Sequence, residues 1–275
     1  MKLPKYFFKR LSIIILVLTV ITFWTEQYYL NFTDDIWYDD NESSCNVSNI
    51  KLQGGLITYI SNEGKNEYGD LLWDETASED IVRAIEKAED DDDIKVIVLE
   101  INSLGGYPVA AEEVANALKR AKKPTVALIR EYGLSAAYWS ATGADIIFAS
   151  QNSDVGSIGI TMSYLDYAKE NEKDGLTYNQ LSAGKFKDTG NYDKPLTPEE
   201  KELLMRDVNI LHENFIKAVS DNRKMDIEKI RELADGSDML GQMALENNLI
   251  DQIGGRYEVE KYLIEKISED IEICQ

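Results

Sequence analysis

The sequence predicts an α/β fold on a mainly parallel sheet, and three observations predict it. Short apolar runs recur at residues 94–101, 125–130 and 145–149, and stretches of helical period separate them. The first run, Ile-Lys-Val-Ile-Val-Leu-Glu-Ile, is apolar almost throughout, as a strand covered on both faces should be. Strand and helix in alternation give right-handed crossovers and parallel pairing. At 275 residues the chain has ample length for such a core.

The first thirty residues are a different material. Lys2, Lys5, Lys9 and Arg10 precede an uncharged stretch from Leu11 to Trp24, which extends through Tyr28, Tyr29 and Leu30 to the length of a membrane span. A cleaved signal peptide is the rival, but no small-x-small site follows Trp24, so residues 11–30 read as an uncleaved anchor. Basic residues before the span and acidic ones after it place residues 1–10 in the cytoplasm and the main domain outside. Residues 31–49 read as a polar linker. The net charge of −21 lacks the basic face a nucleic-acid partner needs.

The expected elements then come in order. Residues 52–60 make a first strand, with Gly54-Gly55 inside it marking a bulge or a close contact. Ser78 caps a helix with Ile81, Ile85 and Ala88 on one face. The apolar strand at 94–101 runs into Asn102-Ser103-Leu104-Gly105-Gly106, and Pro108 opens the next helix. After the strand at 125–130, Gly133-Leu134-Ser135 followed by Ala136-Ala137 turns the chain sharply into a helix. Ser135 at that turn is by itself an N-cap candidate. Val155-Gly-Ser-Ile-Gly159 marks a close approach, and residues 176–181 read as a further strand. Thr197-Pro-Glu-Glu200 is a capping box opening a helix striped by Leu204, Val208, Leu211, Phe215 and Val219. A short helix over 227–234 and a final one to about Ile267 complete the chain.

In such sheets, reactive groups gather at loops beyond the carboxyl ends of strands, and both Gly105-Gly106 and Ser135 stand there. A serine nucleophile needs a base, and the chain has one histidine, His212, placed beside a helix stripe. A lysine is the alternative base, provided desolvation keeps its amine neutral. Lys185 and Lys187, in Ala183-Gly-Lys-Phe-Lys-Asp188, are the lysines in an apolar-flanked, glycine-led setting. Cys45 and Cys274 lie near opposite ends of the exported domain, and the sequence leaves open whether they pair or stand as free thiols.

Taken in order, Ser103-Leu104-Gly105-Gly106, Ser135-Ala-Ala-Tyr-Trp, Gly156-Ser157-Ile158-Gly159 and Ala183-Gly184-x-x-Lys187-Asp188 resemble the signal peptide peptidase A family of membrane-anchored serine proteases. The resemblance covers roughly residues 50–260. It implies a peptidase domain over about 50–262 with a short tail at 263–275, in the Clp protease/crotonase fold of stacked ββα units. It further implies Ser135 as nucleophile, Lys187 as general base and Ser157 orienting the lysine. The N–H groups of Gly106 and Ala136 are implied as oxyanion donors. No metal or organic cofactor is implied. Implied partners are peptide substrates (remnant signal peptides and membrane-proximal peptides), the membrane through residues 11–30, and further copies of the chain in a ring. Two departures stand out: Leu104 where the family has proline, and Ala136 where it has glycine. They keep a catalytically silent scaffold or peptide-binding member as the alternative. An acyl-CoA enzyme of crotonase type on the same fold explains neither the anchor nor the Ser135/Lys187 pair.

Overall fold

The computed structural model describes residues 45–60 and 74–274. Its centre is an eight-stranded sheet in which β1 (Val47–Ile57), β2 (Glu75–Ala77), β3 (Val96–Gly106), β4 (Thr125–Leu134) and β5 (Ile146–Ala149) come first along the chain. They are followed by β6 (Asp154–Gly156), β7 (Asp238–Leu240) and β8 (Gln252–Ile253). The strand order is β2-β1-β3-β4-β5-β8, and β6 pairs with the far end of β4. Every pairing is parallel except that of β6 with β7, so the predicted mixed α/β fold with a mainly parallel sheet is what forms.

The central strands are mostly apolar because each face has its own cover. Successive side chains point to opposite faces. Ile97, Leu99, Ile101, Ala127 and Ile129 face the larger core cluster, with Ile81 and Ile85 of α1 (Ser78–Asp90) and Val114 and Leu118 of α2 (Pro108–Arg120). Ala137 and Tyr138 of α3 (Ala136–Ala141) join the same cluster. Val96, Val98, Val126, Leu128 and Phe148 face the other way. They meet Val259 and Leu263 of the last helix, Arg256–Ile267.

Between β6 and β7 lie α4 (Ala168–Lys173), α5 (Pro198–Arg223) and α6 (Ile227–Leu233); α7 (Gly241–Glu246) follows β7, and Arg256–Ile267 is α8. The capping box at α5 forms as predicted: the Thr197 hydroxyl accepts from the Glu200 N–H, and the Glu200 carboxylate accepts from the Thr197 N–H. The stripe of α5 is buried only in its second half, at Phe215, Ile216 and Val219.

Several expectations are corrected. Residues 176–181 form no strand: among the described residues they pair with none, and Leu176 and Leu181 are exposed, so no second face buries them as a strand would need. Ser78 is not a cap. Ala77 holds that position, and the buried Ser78 hydroxyl bonds the Thr58 carbonyl and the Glu113 carboxylate. The domain begins before residue 50, because β1 starts at Val47. The segment expected as a tail is tied back to it: the Cys274 N–H donates to the Val47 carbonyl, and a disulfide joins Cys45 to Cys274. Among the described residues no helix is long and apolar enough to cross a membrane. The anchor expected at 11–30 lies outside those residues.

Candidate active site

Ser135 stands where β4 ends and α3 begins, and its backbone is unusual. Its φ is 52° and its ψ −124°, a region that L-residues rarely adopt and that is held only where the surroundings enforce it. The enforcement is visible on both sides. Upstream, the Ser135 N–H continues the parallel ladder by donating to the Gly156 carbonyl at 2.8 Å. Downstream, the Ser135 carbonyl accepts the N–H of Trp139 at 3.0 Å, so the helix has already started. All six residues of α3 are buried. The Tyr138 hydroxyl donates to the Leu249 carbonyl at 2.8 Å, and the Trp139 ring stacks on Phe215 with centroids 4.9 Å apart. The side chain of Ser135 makes no capping hydrogen bond, so the plain cap reading does not describe it.

Three of the other expected residues gather around this turn. Gly105 has φ of +116°, and a β-carbon there would stand 2.8 Å from Ser135 Cβ, 3.0 Å from the Leu134 carbonyl oxygen and 3.2 Å from the Ala136 nitrogen. Only glycine lets the β3 loop approach so closely. Gly106 follows, with its α-carbon against the backbone of Leu56. Ala136 is the first residue of α3, and the positive φ falls on Ser135 instead. Alanine at 136 is therefore unstrained, and its departure from the family glycine carries no backbone penalty.

On the other flank, Leu134 pairs with Gly156, which brings Ser157 alongside Ser135 at the ends of adjacent strands. Ser157 also has a positive φ, 49°. Its hydroxyl donates to the Gly236 carbonyl at 3.0 Å and its N–H to the Ser237 carbonyl at 3.1 Å. Gly159 packs on Gly236, where a β-carbon would lie 2.9 Å from the Gly236 α-carbon. With its proton directed at Gly236, the Ser157 oxygen keeps lone pairs with which to accept a bond from an amine.

Lys187 is not joined to this group within the chain. It lies on an exposed turn, and no hydrogen bond or ion pair among the described residues engages its amine. The turn itself is anchored by the next residue. The Asp188 carboxylate accepts from the Tyr178 hydroxyl at 2.9 Å and from the Asn191 amide at 3.2 Å, and lies 4.0 Å from the Lys194 amine. The hydrogen bond to Asp188 pushes the Tyr178 hydroxyl pKa upward. Lys185 points elsewhere, paired with Glu199 at 2.9 Å. His212 is half-buried on α5, with its Nε2 unbonded.

Asn102 and Ser103 stand in the same motif as Gly106 without a role of their own there, and both build the loop. Asn102 Oδ1 accepts the N–H groups of Glu131 and Tyr132, each at 3.2 Å, and Ser103 bonds both Gly54 and Gly105. Two adjacent polar residues at the end of an apolar strand were the available signal.

A mainly parallel α/β domain that holds a strained serine at a strand-to-helix turn, against a glycine loop, has the architecture of a serine hydrolase. The comparisons with known proteins name the group. Residues 117–268 match the model for Peptidase family S49, and the chain belongs to that family. A Methanocaldococcus jannaschii protein, MJ0651, is 32% identical over 220 residues, which are 77% of this chain and 71% of that protein. The chloroplastic serine protease SPPA of Arabidopsis thaliana is 29% identical over 181 residues, covering 65% of this chain and 27% of that much longer protein. Among solved structures, a ClpP1 mutant from Listeria monocytogenes aligns with a TM-score of 0.47 at 14% identity, over 76% of this chain and 92% of that one.

Proposed function

We propose that this member of a serine-type peptidase family hydrolyses peptide bonds through a Ser135–Lys187 dyad. The observation that carries the reading is the Ser135 turn: a strained backbone, no capping role for the hydroxyl, and Gly105 packed against its β-carbon and the Ala136 nitrogen. Strain of this kind collects at reacting residues. In the proposed reaction the Ser135 oxygen attacks the scissile carbonyl carbon and Lys187 takes the hydroxyl proton. The developing oxyanion is met by the N–H groups of Gly106 and Ala136. Collapse of the adduct breaks the C–N bond, and Lys187 returns the proton to the leaving amine. Water, deprotonated by Lys187, then attacks the ester on Ser135; the C–O bond breaks, Lys187 returns the proton to the serine oxygen, and the peptide acid leaves. Ser157 accepts a hydrogen bond from the lysine amine and orients it.

A lysine base must be desolvated, and the Lys187 turn is exposed in a single chain. The segment around it also exposes Met162, Leu165, Leu176, Leu181 and Tyr192. Large apolar side chains left exposed along one segment are what a contact surface would cover. The proposed assembly is therefore a ring of identical chains, in which a neighbouring copy covers this segment and completes the dyad.

In this proposal the uncharged stretch within 11–30 anchors the chain, with the domain on the extracytoplasmic side of a membrane. The Cys45–Cys274 disulfide supports that side, because such bonds persist in oxidising compartments. Substrates at that surface are membrane-proximal peptides, remnant signal peptides among them.

The test uses the full-length chain in membranes or detergent micelles. Ser135 is expected to be labelled by a fluorophosphonate probe and to turn over a fluorogenic peptide, while Ser135→Ala and Lys187→Ala, still folded and oligomeric, do neither. A folded oligomer whose Ser135 resists the probe sinks the dyad and favours the silent scaffold.

A further inference from the structure

The sheet face that carries α8 holds a cavity of about 460 Å³, walled by β1, β3, α8 and the segment at Ile273 and Cys274. A volume of this size is ordinary for a small-molecule site. Its walls are graded from one end to the other. The register sets Val47 of β1 beside Val96, Asn49 beside Val98 and Lys51 beside Glu100. Side chains two apart share a face, so along β1 and β3 this face runs from apolar to charged toward the carboxyl ends. The covering helix has the same grading. Arg256 at the start of α8 reaches Glu100, and Leu263, roughly 10 Å further along, belongs to the apolar cluster of Val47, Val96 and Val98. Ile273 closes the apolar end through its bridge to Val47.

The charged end keeps donors that the fold does not use. Glu100 is met by Arg130 at 2.6 Å and by Arg256 at 2.8 Å, so two cations share one carboxylate. A guanidinium carries five N–H donors, and one Arg256 nitrogen serves Glu100 while that side chain stays 59% exposed. Lys51 stands exposed on the rim, and no hydrogen bond or ion pair among the described residues engages its amine. Glu260 is the second carboxylate of the lining. Three cations against two carboxylates leave this end positive, on a chain whose net charge is −21. An anion is favoured there by charge, and hydrocarbon is favoured at the other end by burial.

We propose that this cavity binds a single-chain amphiphile with an anionic head. The tail lies along Val47, Val98 and Leu263, and the head meets Lys51 and Arg256. A fatty acid carboxylate and a lysophospholipid phosphate share this chemistry. The site is independent of the peptidase reading, because α3, which Ser135 opens, packs into the core on the other face of the sheet.

The experiment uses the full-length chain in phosphatidylcholine nanodiscs with dodecanoate that carries a diazirine on its tail, kept below its micellar concentration. Light-driven insertion is mapped by peptide mass spectrometry. Wild type should be labelled on the peptides that carry Val98, Leu128 and Leu263. Lys51→Glu leaves the apolar walls untouched and should cut that labelling at least about ten-fold, as a charge-assisted contact becomes a repulsion. Ile273→Trp, at a position already 39% exposed, narrows the apolar end and should cut it as far. Both variants change exposed side chains, so the fold is kept. Unlabelled dodecanoate and dodecanoyl lysophosphatidylglycerol then compete for the site, and the one that displaces the label at lower concentration names the source. Monododecanoylglycerol, the same tail on a neutral head, should need at least about ten-fold more. No label on those peptides in wild type overturns the proposal, as does undiminished label in either variant or equal displacement by the neutral lipid.

Discussion

A β-carbon on Gly105 would stand 2.8 Å from that of Ser135, closer than two such carbons can pack. The glycine is needed twice, for this approach and for its φ of +116°. Gly105→Ala should therefore push the loop off the Ser135 turn. Fluorophosphonate labelling of Ser135 is expected to slow at least about 100-fold, the scale of a displaced catalytic group. Stability should fall by about 1–3 kcal/mol from the strained φ. Labelling kinetics and thermal unfolding on the same preparation check both, and labelling at the wild-type rate would show that the loop does not form the site.

Leu104 offers the reverse case. Its side chain is 67% exposed and forms no part of the core, although it occupies the family proline position. Leu104→Pro restores the φ restraint and should leave labelling within about two-fold while raising stability by about 0.5–1 kcal/mol, through the unfolded chain. A large loss of labelling would show that the native loop cannot accept proline at this position.

The Ser135 turn was legible because its cause is local: glycine, a serine, then alanines small enough for a buried helix start. The central strands were legible for a similar reason, since 96–101 lies between the helices and α8 and is apolar on both faces except at Glu100, which Arg130 and Arg256 neutralise. Other features depend on distant partners and left little trace. Residues 176–181 have strand-forming residues but pair with no strand among the described residues. Ser78 resembles a cap, yet Thr58 and Glu113 claim its hydroxyl from elsewhere in the chain. The Cys45–Cys274 pairing spans 229 residues and needs the whole sheet to bring its ends together. The strain at Ser135 rather than Ala136 is a backbone property that residue types alone do not encode.

That disulfide closes nearly the entire domain, and hydrogen bonds run beside it from Asn46 and Val47 to the Glu272 carbonyl. Reduction, or Cys274→Ser, should lower unfolding stability by about 2–4 kcal/mol. Amide exchange should rise first at Val47 and Cys274. Denaturant unfolding with and without reductant measures the loss; matching midpoints would mean that the bond adds nothing to the fold.

Glu100 is buried beneath the sheet face that carries α8, where Arg130 approaches at 2.6 Å and Arg256 at 2.8 Å. Burial alone would raise its pKa. Hydrogen bonds and charge from Arg256 and then Arg130 outweigh that and hold it below the ordinary 4.5. A carboxylate depressed in the folded state contributes stability that is fully present above its unfolded pKa and is lost as pH falls through the folded value. Stability should thus decline as pH drops below about 4.5, and Glu100→Gln should both lower stability at neutral pH and flatten that acid limb. Urea midpoints across pH 2–7 test the sign, and an unchanged slope in Glu100→Gln would assign the acid sensitivity to other carboxylates.

The Lys187 turn is tied to the start of α5 through shared charges. Lys194 donates to Glu200 at 2.6 Å and reaches Asp188 at 4.0 Å, while Glu200 also accepts the Thr197 N–H. The Lys194 bond, with the Thr197 N–H second, holds the Glu200 carboxyl down at about 2, so this clasp stays charged well into acid. Asp188 is its link to the residue proposed as base, and Asp188→Ala cuts that link without touching Ser135 or the glycine loop. A lysine on an untethered turn spends less time in reacting geometry, which should reduce kcat about ten-fold or more with little change in KM. Thr197→Ala instead removes only the helix cap, costing about 1 kcal/mol of stability with kcat nearly intact. Steady-state kinetics and thermal unfolding of the two variants separate tethering from general loosening. Equal losses of kcat in both would show that the helix start, rather than Asp188, positions the lysine.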